Sequence, residues 1–437
     1  MRIKAIAGVV LLVWVLVNSA AAQSTMLDDQ PIMQMLAQVP QGAPTSYLTF
    51  SDRAAITQAY PEAQMPTALE AFFALDNDDQ TPEARAQEIW WRIFIRYTSS
   101  MMAQSMTQAD TLPTSLGLDF FQVQQELSFG QPPENTLYLA GNWDAESVRG
   151  ALANRNYSLI DENAVAQLWC EEDCLTGSQV QMAARDPANP FGGTLGQNWP
   201  MLVADGQLIG SRSEPLMRDY LSAANRDLPT LAQDPLWRAS LTAATQDGIL
   251  LQAMALGGED LLLLSEPLAG INLQTLSPEQ IQRLAADLLE DYVSLPPFQL
   301  LMVADTVSEG QQVGKVILTY PVEADAQATA EILPGRIAAY VSLVTQSAFT
   351  EMLADRNLML PTVTVQSAEG VFMVVIDFSS PQLDAESVFA LRFEDPLPEG
   401  YAAPGSAFAL LAQSIFQQDM HWLSSAPREA LEALAGG

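Results

Sequence analysis

Beyond residue 22 the longest apolar runs of this chain, such as 248–256, are no longer than a β-strand. Its fold must therefore be assembled from short elements that bury one another. Only the start breaks that rule. Arg2 and Lys4 precede an uncharged, almost wholly apolar run over 5–17; Asn18 and Ser19 end it, and Ala20, Ala21 and Ala22 supply the small residues that a signal peptidase needs. The run falls short of the ~20 residues that cross a bilayer as a helix. Residues 1–22 read as a secretory signal peptide cut after Ala22, with retention as an uncleaved anchor as the alternative. The expected location is secreted or in the cell envelope (extracytoplasmic). No cysteine lies beside the cut, which argues against a lipid there, and no membrane span is expected in the mature chain.

The chain has 437 residues, enough for two or three domains, and a hydrophobic fraction of 49%, ample for real cores. Against that core stands an acidic surface: 52 acidic residues to 19 basic ones, a formal net charge of −33. Loss of the leader removes Arg2 and Lys4 and no acid, so the mature chain is more negative still. Such a surface repels phosphate backbones and anionic headgroups, which argues against nucleic acid as a partner and favours a neutral or cationic protein or small molecule. Lys4 and Lys315 are the only lysines.

The two cysteines, Cys170 and Cys174, sit four apart in an acidic stretch. In an oxidising compartment so close a pair reads as a disulfide, and the acids between the two disfavour the thiolates that a metal or a redox site requires. A loop this short stiffens its own neighbourhood rather than the whole fold.

Local signals place the elements. Residues 47–50 read as a strand, with Ser51 or Asp52 capping a helical turn to about 59. Thr81, Pro82 and Glu83 open a helix running to about 106. A short helix is expected over 118–127, ended by Gly130 and the Pro132–Pro133 pair. Residues 136–141 form a strand, Asp144 caps a helix over 145–154, and 157–160 returns as a strand. Asp205–Gly206 joins strands 201–204 and 207–211 in a hairpin, and a helix over 214–224 closes the unit. Further on, 298–306 and 313–320 form a hairpin, 324–345 a long helix interrupted at Pro334, and 362–366 with 371–378 another hairpin, after which Asp384 caps a helix. The shared order of strand, helix, strands, helix predicts an α+β protein of two related modules, each packing helices on one face of a mainly antiparallel sheet. The expected organisation is 1–22 signal peptide, 23–245 first module with a helical insert, and 246–437 second module, the boundary falling within 227–248.

Most motif-borne chemistry is missing. His421 is the only histidine, so multi-histidine zinc sites are excluded and any Ser-His-Asp triad must use it. There is no G-x-S-x-G elbow, no P-loop and no G-x-G-x-x-G fingerprint; the glycines at 192, 193 and 196 read as a loop. Asp305–Thr306 lacks the glycine of an aspartic-protease motif. The acids at 76–79 fail the EF-hand pattern and read as a solvated turn, as do Asp161–Glu162 and Glu171–Asp173. No cofactor or metal is expected. Paired carboxylates remain available for hydrolysis of a polysaccharide or peptide, but nothing in the sequence locates such a pair, and no catalytic residue is assigned.

A spaced series carries one resemblance: Gly117-Leu-Asp119, Phe129-Gly130-Gln-Pro132-Pro133, Leu139-Ala-Gly141-Asn-Trp-Asp144, Ala151-Leu152 and Asn156-Tyr157. It resembles the pattern of uncharacterised exported proteins and lipoproteins of bacteria over roughly 46–225, with a weaker echo over 298–380. It departs at Asn156, where that pattern has glycine, and in lacking the lipid-attachment cysteine. The resemblance implies export and an α+β fold, and no activity. The reading that follows is an exported, non-enzymatic binding or interaction protein, with a carboxylate-dependent hydrolase as the alternative. The groove between the modules is the default place for a ligand.

Overall fold

Among the described residues, twelve strands join edge to edge in one antiparallel sheet. The computed structural model describes residues 27–436 except 75–80, 98–105, 131–134, 262–276, 290–291, 391–399 and single positions 172, 188, 247 and 418. The leader at 1–22, the acidic turn at 76–79 and the Pro132–Pro133 pair lie outside the described residues.

The first half of the chain contains α1 (Pro31–Leu36), β1 (Tyr47–Asp52), α2 (Ala55–Ala59), α3 (Leu69–Phe73), α4 (Pro82–Phe94), α5 (Leu112–Ser115), β2 (Val123–Phe129), β3 (Thr136–Gly141) and α6 (Ala145–Asn154). It continues with β4 (Tyr157–Glu162), β5 (Gln167–Glu171), α7 (Cys174–Gly177), β6 (Met201–Ala204), β7 (Gln207–Ser211), α8 (Glu214–Ala224) and α9 (Pro235–Thr245). The second half contains β8 (Ile249–Gly257), α10 (Pro278–Leu289), β9 (Leu300–Ser308), β10 (Gln311–Tyr320), α11 (Glu323–Ala339) and α12 (Phe349–Ala354). After these come β11 (Thr362–Ala368), β12 (Val371–Pro381), α13 (Ala385–Ala390), α14 (Ser406–Phe416) and α15 (Arg428–Gly436). The α+β class that the sequence predicts is the class observed.

Across the sheet the strands run β11-β12-β10-β9-β8-β1-β2-β3-β7-β6-β5-β4, and the two halves repeat one strand plan. Each starts with a three-stranded meander, β1-β2-β3 or β8-β9-β10. Helix α6 or α11 then crosses over, and the returning strands end on the one that pairs with the third strand, β7 on β3 and β12 on β10. The halves meet where β1 lies antiparallel to β8, Phe50 opposite Ala253. An approximate two-fold axis perpendicular to the sheet thus relates the meanders.

Helices cover both faces of this sheet, a correction to the single covered face expected. The reason lies in the central strands: β8 and β9 are buried at nearly every position, and a strand apolar on both sides needs cover on both. On one face α1, α8 and α9 pack on Leu48, Phe50, Tyr138, Ile209, Met302 and Ile317. On the other, α2 to α6 cover the first half around Trp90, Phe121 and Leu139, while α11, α12 and α14 cover the second around Val316, Phe349 and Trp422.

Caps fall where the side chains predict them. Thr81 Oγ1 accepts from Ala84 N (3.2 Å), Asp144 from Glu146 N (3.0 Å) and Asp384 from Ser387 N (2.7 Å); each satisfies an orphan donor of a first helical turn. Three expectations fail. Residues 123–129 form strand β2 rather than a helix: Gln and Glu favour helix, but Leu127 and Phe129 alternate with Glu126 and Ser128, and pairing with β1 and β3 overrides propensity. The helix opened by Thr81 ends at Phe94. Helix α11 continues through Pro334 and stops at Ala339, where Tyr340 turns extended and donates its hydroxyl to Asp419 O at 2.6 Å.

Candidate functional site

The two helical layers of the second face meet above β1, β8 and β9, where the default groove between halves would lie. Side chains fill that line. Helix α13 of the second half grips α4 of the first: Arg85 pairs with Glu386 at 2.7 Å, and Arg92 Nη1 donates to Phe389 O at 2.6 Å. Both guanidinium groups lie over the Phe389 ring, at 4.6 and 5.2 Å. Gln382 Nε2, just past β12, donates to Ala59 O of α2 at 2.9 Å.

Beneath that grip runs a polar seam. Asp305 of β9 is wholly buried and accepts from Gln252 Nε2 of β8 (3.1 Å) and Gln312 Nε2 of β10 (3.3 Å). Desolvation pushes its carboxyl up to about 6, against the pull of these two amides. Asp52, at the end of β1, accepts from Ala55 N and Gln125 Nε2, both at 3.1 Å, and burial likewise pushes it up to about 6. The Tyr97 phenol lies in the field of both carboxylates, is raised by burial first and by them second, and has no hydrogen-bond partner among the described residues. Asp305 and Asp52 would titrate in the range that acid–base catalysis uses. Their surroundings, however, are those of a sealed polar core.

Arg53 adjoins the seam and is fully buried. It lies over Phe120 (4.3 Å), Phe94 (4.7 Å) and Trp90 (5.8 Å) and donates to Phe120 O at 3.0 Å, and Trp90 Nε1 donates to its carbonyl at 3.0 Å. Desolvation lowers its pKa to about 9, with Glu126 and Asp119 opposing. Aromatic faces replace water around the cation.

His421 does not complete a triad. It packs against Tyr340, ring centroids 4.6 Å apart, and burial holds its pKa down at about 4, so it is neutral at pH 7. Its Nδ1 lies 3.8 Å from Asp419 Oδ1, while buried Ser342 donates to Asp419 Oδ2 at 2.6 Å. The carboxylate thus stands between serine and histidine, the wrong order for a histidine that must take the serine's proton.

Among the described residues, the other acids that the sequence singles out are engaged in structure. Asp161 pairs with Arg218 at 2.6 Å, Glu171 accepts from Asn198 Nδ2 at 2.6 Å, and Asp173 caps α7 through Thr176 N at 2.6 Å. Among the described residues no three His, Cys, Asp or Glu side chains gather as a metal site.

Cys170 and Cys174 are joined in a disulfide, Cα atoms 4.9 Å apart, between the end of β5 and the start of α7. The loop that follows folds back over the second face: Phe191 packs on Gly210 of β7, where any Cβ would meet its ring, and Trp199 covers Gly192. Gly192 and Gly196 take φ of 84° and 66°, conformations that suit glycine. Gln181 N bonds Leu195 O at 3.0 Å, so the two arms of the loop lie side by side. Its outer surface carries apolar groups among polar ones: Leu175 is 73% exposed, Met182 57%, Val180 52% and Leu195 43%, and Gln179, Gln181 and Arg185 are exposed with them. Leu159 and Ile160 are exposed on edge strand β4. Sequence reasoning passed over these residues; the available signal was a loop carrying leucine, valine and methionine where polar residues are usual.

Among the described residues no helix is long and apolar enough to cross a membrane. No family model matches the chain, and no curated protein does. Two solved structures that align with it are crystal forms I and IV of a protein named TP0453, at 8% and 10% identity, TM-scores of 0.30 and 0.32, each alignment covering 81% of this chain and 94% of that one. A likeness this slight carries no argument about function.

Proposed function

We propose that this is an exported protein of the cell envelope or exterior that works by binding a partner, and that the partner docks on the apolar end formed by β4 and the loop after the disulfide. The supporting observation is the exposure of Leu175, Val180, Met182 and Leu195 along one loop, and of Leu159 and Ile160 on the edge strand, in a chain whose charge balance is acidic. Exposed apolar groups set in a polar surround mark interaction surfaces. The acidic balance selects a neutral or cationic partner. Membership of the uncharacterised exported proteins and lipoproteins of bacteria belongs to the same proposal, as do the leader at 1–22 and its removal after Ala22.

A photo-crosslinking residue placed at Met182 or Leu195, in the protein exported by its own leader, tests this. One discrete adduct at both positions is expected, absent from a control at exposed Val322 and abolished by Leu175→Glu with the thermal midpoint unchanged. Exported protein that gives no position-specific adduct overturns the docking surface. Protein retained inside the cell overturns the export reading separately.

A further inference from the structure

The two edges of the sheet are built differently. Strand β4 is guarded: its register with β5 is irregular between Leu159 and Asp161, it carries Asp161 and Glu162, and Arg218 is clamped beside it at 2.6 Å from Asp161. Bulges and charges are the devices by which edges refuse another strand. Strand β11 has none of these. Thr-Val-Thr-Val-Gln-Ser-Ala pairs with β12 in unbroken register from Thr362↔Asp377 to Ala368↔Val371, is uncharged throughout, and has β12 as its sole strand neighbour among the described residues.

The turn fixes which backbone groups of β11 face outward. Glu369 and Gly370 both have positive φ, 52° and 78°, so they form a two-residue type I′ loop, and the flanking pair Ala368–Val371 exchanges hydrogen bonds. Alternation then directs the N–H and C=O groups of residues 362, 364, 366 and 368 to β12 and those of Val363, Val365 and Ser367 to the open side. Val365, at the centre, is 39% exposed.

We infer that β11 pairs antiparallel with β11 of a second copy about a two-fold axis at Val365, continuing the sheet across a dimer. The strand's own neutrality selects the occupant. Over 362–368 neither copy presents a charge, so the repulsion between two chains of net charge −33 acts only at long range, where salt screens it, and a cationic partner would find no carboxylate along the strand to pair with. The self-pairing sets Val365 on Val365, Val363 on Ser367 and Thr364 on Gln366. Glu369, held by Arg238 at 3.2 Å, falls opposite Pro361 and not its own copy. Because β4 is guarded, association closes at two copies rather than running on as a fibre. This surface is separate from the apolar end proposed for a partner.

Sedimentation velocity of the chain as purified from its expressing cell, over a range of concentration and salt, tests the inference. A monomer–dimer equilibrium is expected, tightening as salt screens repulsion between the copies. Val365→Pro removes only an outward-facing donor, a position where edge strands accept proline; it is expected to weaken association by roughly tenfold or more with little change in thermal midpoint. Val365→Lys gives the same result should the proline variant fail to fold. Val365→Cys is expected to form a disulfide-linked dimer on oxidation, since directly opposed residues of a bonded pair lie about 5.5 Å apart. A monomer at every concentration, a dimer untouched by both the Pro and Lys variants, or open-ended polymers would each overturn it.

Discussion

Asp305 shows how one residue sets a property of the whole fold. In the unfolded chain it titrates near 3.8 and in the folded protein at about 6, so between those pH values the native state holds a proton that the unfolded state lacks. The stability contributed by the protonated carboxyl is complete below about pH 4 and is lost as pH rises through 6. Replacing Asp305 with Asn removes the charge while keeping an acceptor for one of its two glutamines. Asp305→Asn should therefore raise stability at pH 7 by on the order of 2 kcal/mol relative to the wild type, the difference vanishing near pH 4; denaturant midpoints measured at both pH values check this. His421, held neutral by burial, pulls the other way as pH falls toward 4, which is why the comparison between variant and wild type is the readout. Glycines of the resemblance series also acquire reasons at this scale: a Cβ on Gly141 would meet Gln122 O at 2.0 Å, and one on Gly117, at φ 73°, would meet Ser147 O at 2.3 Å. They mark close backbone approaches.

At the scale of elements, the disulfide belongs to the end of β5 and to the short α7. Its four-residue separation closes so small a loop that chain-entropy reasoning assigns it about 2 kcal/mol at most. The double variant Cys170→Ala, Cys174→Ala should unfold cooperatively at a lower denaturant midpoint by about that amount, with the sheet intact by circular dichroism; collapse of the whole fold would show that the loop over the second face depends on it. Hairpins were the most legible elements. Asp205–Gly206 sets register locally, so β6–β7 was readable from its turn; β9–β10 and β11–β12 were read as hairpins, and the structure closes them at Glu309–Gly310 and Glu369–Gly370. Strand β2 was not, because its identity depends on two partners distant in sequence, β1 and β3, and its own residues prefer helix.

For the whole molecule the acidic surface and the buried seam act together. Self-repulsion among the surplus carboxylates opposes folding and is screened by salt, with a Debye length of about 10 Å at 0.1 M. The thermal midpoint should climb with sodium chloride, most steeply below about 0.1 M; a midpoint indifferent to salt would mean that surface charge is spaced widely enough to cost nothing. The seam sits where the two halves join, so the grip of α13 on α4 and the contacts around Asp305 decide whether the halves act as one body.

The sequence alone determined what depends on neighbours along the chain: the helix caps at Thr81, Asp144 and Asp384, the hairpins, the α+β class, the pairing of Cys170 with Cys174, and the absence of any long apolar helix among the described residues. Tertiary structure alone decided what depends on residues far apart. It merged the strands into one sheet covered on both faces, turned 123–129 into a strand, and brought Asp52, Tyr97, Gln252, Asp305 and Gln312 into one buried seam. A polar residue in an apolar strand, such as Asp305 after Leu-Leu-Met-Val-Ala, is visible as an anomaly in sequence. Whether it meets water, a ligand or a glutamine is set by which strands lie beside it, and strand order is a long-range choice that no local pattern encodes.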